Sequence, residues 1–197
     1  MKLTAKDRQL LELFCSRTDA IASSPICRKG KISVGIKMTG ERGGSLEHQA
    51  QGPSSTELLP VVTIIRQFYS PSESINFKNI YKLVYQLLVS SGTASESTLD
   101  HVRRAMSSFK QITKRLPVGL KLGGKTMTPR DVIDIWFNGN IFHADPAKSA
   151  LYMSLWRSPA GPWADFCFRS AIVHLSALMV YFGALVRTEV LNKEQLA

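Results

Sequence analysis

Apolar residues recur along most of the chain at three- and four-residue spacing, the period of a helix with one buried side. Leu10, Leu13, Phe14 and Ile21 mark the first such helix. Thr4-Ala5-Lys6-Asp7 opens it with capping-box spacing, and Ser23-Ser24-Pro25 ends it. Residues 30–52 change period. Ile32, Val34, Ile36 and Met38 alternate with Lys31, Ser33, Gly35 and Lys37, and Glu41-Arg42-Gly43-Gly44 reads as a turn into a second strand over Ser45–Gln51, so a small β-hairpin is expected here. After a linker at Gly52–Thr56 the helical period returns over 56–69, with Pro60 in its first turns, and over 76–90, where Phe77, Ile80, Tyr81, Val84, Leu87 and Leu88 share a face. A helix over 97–116 carries Leu99, Val102, Met106, Phe109, Ile112 and Leu116 on its apolar side. Residues 117–127, with Pro117 and three glycines, read as a loop or short hairpin.

Thr128-Pro129-Arg130-Asp131 opens the next helix, with Thr as N-cap and Pro in the first turn, and Asn138-Gly139-Asn140 ends it. Asp145-Pro146 starts another by the same logic, ended by Ser158-Pro159, and Pro162 opens a long terminal helix to about Val190. The fold class that follows is mainly α: a bundle of about seven helices in one domain over 1–197, with an N-terminal helix and β-hairpin in 1–55 and the helical bundle in 56–197.

With 44% hydrophobic residues in 197, the chain can bury a core without staples. Ala171 to Val186 is nearly all apolar, but it spans sixteen residues and includes His174 and Ser176, short of the ~20 a bilayer crossing needs. A buried core helix, and no membrane partner, is the expectation. The first residues lack the apolar run of a signal peptide. Cys15, Cys27 and Cys167 form no C-x-x-C and are odd in number, which argues against a disulfide framework and against structural zinc. A cytoplasmic protein with no metal and no cofactor is expected.

Charge changes the picture more. The net charge is +10, and residues 61–130 hold eleven basic groups against three acidic ones. No acidic residue occurs between His101 and Arg130, whereas Arg103, Arg104, Lys110, Lys114, Arg115, Lys121, Lys125 and Arg130 all fall there. Such a stripe attracts a nucleic acid (RNA or DNA) or other polyanion and speeds its association. The aromatic positions Phe68, Tyr69, Tyr81, Tyr85, Trp136, Trp156, Trp163, Phe166 and Phe168 fall at helical spacing or at helix ends, and are expected in the core or at an interface.

Two motifs touch on chemistry. Gly119-Leu120-Lys121-Leu122-Gly123-Gly124-Lys125-Thr126 has the spacing of a phosphate-binding P-loop. Its physics requires a buried strand before the loop and a helix starting at the Lys-Thr. Lys114-Arg115-Leu116-Pro117 is no such strand, and the cap at Thr128 starts the helix too late, so a basic glycine turn is the reading. The second motif is the R-x4-H of Arg169-Ser170-Ala171-Ile172-Val173-His174 on the terminal helix. Five residues separate its ends by about 140° around a helix, so they share a face only loosely. Asp145 is accounted for as a cap, which leaves His143 beside it without an assigned role.

The all-helical pattern and this R-x4-H resemble the HEPN superfamily of helical ribonucleases and nucleotide-binding proteins, and Trp136-Phe137-Asn138-Gly139-Asn140-Ile141-Phe142-His143-Ala144-Asp145 is similar to a phrase of helical proteins of this general type. The resemblance implies metal-independent RNA cleavage in a cleft between two protomers, and hence a homodimer. It assigns His174 to proton transfer at the ribose hydroxyl or leaving oxygen, and Arg169 to the phosphoryl charge, roles that suit an imidazole and a guanidinium. The rival expectation is a non-catalytic module that holds a nucleic acid or a protein partner and acts by occupancy.

Overall fold

A computed structural model describes residues 2–28, 53–118, 121–122, 124–141, 154–159 and 161–195. Within them lie α1 (Ala5–Ala22), α2 (Pro25–Arg28), α3 (Ser55–Phe68), α4 (Phe77–Ser91), α5 (Glu96–Thr113), β1 (Lys121–Leu122), β2 (Lys125–Thr126), α6 (Pro129–Ile141), α7 (Ser154–Arg157), α8 (Gly161–Val186), a π-helical turn at Arg187–Leu191 and α9 (Asn192–Gln195). The mainly α bundle is as expected. The hairpin expected in 30–52, and His143 and Asp145, lie outside the described residues.

Local sequence sets most of the helix starts. Thr4 Oγ1 accepts from the Asp7 amide at 3.1 Å while the Asp7 carboxylate accepts from the Thr4 amide, a closed capping box. Ser54 and Glu57 repeat the device at α3, Ser95 caps α5, and Thr128 with Asp131 caps α6. Each such cap stabilises its helix by about 1 kcal/mol. Gly92 closes α4 in the left-handed region at φ 65°, where a side chain would be strained.

The core is organised by α8, which packs against α1, α3, α5 and α7. Phe168, Ala171, Ile172, Leu175, Met179, Phe182 and Val186 are buried along it. A chain of aromatic rings ties the neighbours together. Phe14 of α1 lies 5.3 Å from Phe68 of α3 and 6.0 Å from Phe182, and Phe77 of α4 lies 4.3 Å from Phe109 of α5 and 5.2 Å from Phe182. Edge-on and tilted contacts of this kind add about 0.5–1.5 kcal/mol each beyond area burial. The closest approach of α1 to α8 is at Gly183, where a Cβ would meet Thr18 Oγ1 at 2.1 Å.

Three expectations need correction. The helix expected over 97–116 stops at Thr113 because Pro117 restrains the residue before it, although Leu116 is still buried. The helix expected to end at Asn138-Gly139-Asn140 runs through them to Ile141; Gly139 is buried, and Asn140 Nδ2 donates back to the Trp136 carbonyl at 2.7 Å, so packing overrides the turn preference of Asn-Gly. The first helix ends at Ser23 as expected, and the chain past Ser24 winds at once into the short α2. Finally, α8 has 26 residues, so the sixteen-residue argument against a bilayer fails; with the π turn it is the one described helix long and apolar enough to cross one. Burial gives the better reason: 56% of its most apolar window is inside the protein, as in the core helix of a soluble bundle.

Two predictions follow from the α1–α8 seam. Gly183→Ala should destabilise the fold by about 1–3 kcal/mol through overpacking, and Thr18→Ala should recover part of the loss; additive losses in thermal unfolding would contradict the contact. Burial also pushes the Cys15 thiol up to about 11, with Arg187 opposing only in part. The neutral thiol's contribution is complete below the ordinary thiol value of 9.0 and is lost as pH rises through 11. A stability-pH profile should fall across that window, less steeply in Cys15→Ala.

Candidate nucleic-acid interface

The basic stripe divides into two groups once the side chains are placed. On α5, Arg103 donates to Glu96 at 2.7 Å and to the Tyr85 hydroxyl at 3.4 Å, and Glu96 above all holds its charge more firmly. Arg104 pairs with Asp100 at 2.9 Å. Lys125 lies 3.8 Å from Asp131. Arg130 is half-buried, with its Nε on Asp134 at 2.9 Å and a further hydrogen bond to the Arg66 carbonyl. Asp134 also takes Arg66 at 2.8 Å, so Arg130 belongs to a clamp between α3 and α6.

Lys110, Lys114, Arg115 and Lys121 differ. All four are exposed, and no ion pair joins them to a described residue. They run from the last turn of α5 into the ribbon of β1 and β2, whose turn uses Gly124 at φ 78°. Helix physics explains part of this arrangement. Glu96 and Asp100 sit in the first turns of α5 and the lysines at its end, so both signs complement the helix dipole. The consequence is a patch of cations at one end of the helix with no acidic partner among the described residues. The P-loop spacing is without its fold context, as expected: Lys125 and Thr126 lie on β2, and the following helix starts at Pro129.

The basic helix does pack beside α8. His101 Nδ1 and the Tyr181 hydroxyl share a hydrogen bond of 2.5 Å, with the two rings 29° from parallel. They line an open groove of about 370 Å³ with Ser97, Thr98, Thr188 and Glu189. His174 is half-buried, and its Nδ1 is enclosed with no hydrogen-bond partner among the described residues.

Arg169 lies on the other side of α8. Its Nε donates to Asp165 at 2.7 Å, one terminal nitrogen to the Pro53 carbonyl at 2.9 Å, and the other to Ser55 Oγ at 2.8 Å. The guanidinium also faces the Trp136 ring, 5.9 Å from its centroid. Arg169 thus meets the Trp136 phrase and the start of α3, and no described contact joins it to His174. The about 140° between the two positions is realised as separation across the helix. No cluster of three or more metal-ligating side chains occurs among the described residues.

Sequence reasoning passed over His101 and Tyr181. His101 served only to bound the stripe, and Tyr181 was hidden in the apolar run. The signal was the spacing of His174, Ala177 and Tyr181 on the side of α8 opposite Ile172 and Met179. No family model, curated protein or solved structure matches the chain.

Arg169→Ala should cost about 1–3 kcal/mol, because the part-buried groups it leaves behind lose their donors. Denaturant unfolding measures this; an unchanged midpoint would show that the three bonds are not structural.

Proposed function

We propose that this chain is a helical RNA-binding protein that holds its partner on the end of α5 and the β1–β2 ribbon and acts by occupancy. The observation that carries this reading is the set of four exposed cations, Lys110, Lys114, Arg115 and Lys121, without acidic partners among the described residues. Cations already paired to carboxylates gain less from a phosphate, because the old pair must break first. The unpaired four release counterions from the nucleic acid without that cost.

The test is binding of a labelled RNA across a salt series. Lys110→Ala with Lys114→Ala should weaken binding uniformly across sequences and reduce the salt slope by about two, roughly one per phosphate contact. Arg103→Glu with Arg104→Glu should also weaken it, chiefly by charge repulsion. Unchanged affinity and slope in both double variants would remove the proposal.

One observation favours cleavage as a second reading: His174 Nδ1 is enclosed without a hydrogen-bond partner among the described residues. On this reading the chain is HEPN-like, His174 moves the proton, and Arg169 exchanges its present bonds for the phosphoryl group in a homodimer. RNA turnover by the purified protein should then be lost in His174→Ala. Equal turnover by the variant rejects the role, and a monomer by light scattering rejects the shared cleft.

A further inference from the structure

We infer that the groove between α5 and the end of α8 takes an unpaired nucleobase, so that the nucleic acid held by the cations is single-stranded. This rests on the polyanion reading and deepens it. His101 and Tyr181 are both exposed, Tyr181 at 45%, on an edge where the buried faces of α5 and α8 would otherwise end in aliphatic side chains. Aromatic side chains left partly in water offer a face on which any base can stack. Their hydrogen bond fixes the two rings relative to each other, so little side-chain entropy is left to lose on binding.

The rest of the groove combines an apolar wall at Ala184 and Leu185, against which the face of a base packs, with polar groups at Ser97, Thr98, Thr188 and Glu189. The Thr188 hydroxyl donates to the Ala184 carbonyl and so can only accept from a base, and the Thr98 hydroxyl is shared with Ser95. The far wall is the π-helical turn at Arg187–Leu191, a backbone form that recurs at functional sites. Arg104 lies one turn beyond His101 on α5, and Lys110 about 13.5 Å along the axis and about 180° around the helix from His101, at 1.5 Å and 100° per residue. A strand leaving the groove toward the end of α5 therefore passes around the solvent side of the helix, past Arg104, to bring its phosphates to Lys110 and Lys114. A duplex has its bases stacked on each other and cannot offer one to the groove without flipping it out.

The experiment compares three labelled ligands with the full chain at low salt: a single-stranded oligonucleotide, an abasic strand of the same length, and the matching duplex. The base-containing single strand should bind on the order of tenfold more tightly than the abasic strand. Tyr181→Ala should erase that ratio, Tyr181→Phe should keep it, and neither should alter the salt slope. Salt-dependent binding with the same ratio in Tyr181→Ala overturns the base site and leaves the polyanion reading standing. Preference for the duplex does likewise. Absence of binding to all three ligands overturns both.

Discussion

The fold depends on covering one helix. α8 is apolar around much of its circumference, and water tolerates it only if other helices wrap it. α1 does so most closely, at the position where Gly183 has no side chain to keep Thr18 away. The phenylalanines at 14, 68, 77, 109 and 182 then fill the space between five helices, so that the packing of each ring fixes its neighbours. Ser176, buried in the same helix, returns its hydroxyl to the Ile172 carbonyl, which satisfies its own polar group inside the core.

The surface follows from the same constraint. α5 gives Val102, Ala105, Met106 and Phe109 to the core, which leaves its charged residues on the opposite side. Their order along the helix obeys the dipole, acidic first and basic last. The acidic end neutralises Arg103 and Arg104, and nothing described neutralises the basic end. A helix stabilised by its own charge order is thereby also one with a strongly positive tip.

Periodicity and caps made the helices legible, because both act within a few residues. The capping boxes at Thr4 and Thr128 and the repeat from Phe77 to Leu88 needed no tertiary information. Asn138-Gly139-Asn140 misled for the converse reason: a local turn preference of about 1 kcal/mol yields to a buried position. The site was harder to read. The motif joined Arg169 to His174 across five residues, whereas its hydrogen bonds reach Ser55 and Pro53, 114 and 116 residues away. His101 and Tyr181 are 80 residues apart, and spacing within one helix cannot reveal a seam between two. The exposed cations were visible as composition, but their division into paired and unpaired required the carboxylates to be placed.

The reach of Arg169 has a consequence in time as well as in energy. Bonds that close loops of more than a hundred residues pay the chain's closure entropy before they return anything, so they form after the local helices and their nearest packing. Interactions absent from the folding barrier leave the folding rate almost untouched and act instead on the rate of opening. Arg169 is placed to govern how long the bundle stays closed around α8, and with it how long the start of α3 remains seated against the central helix.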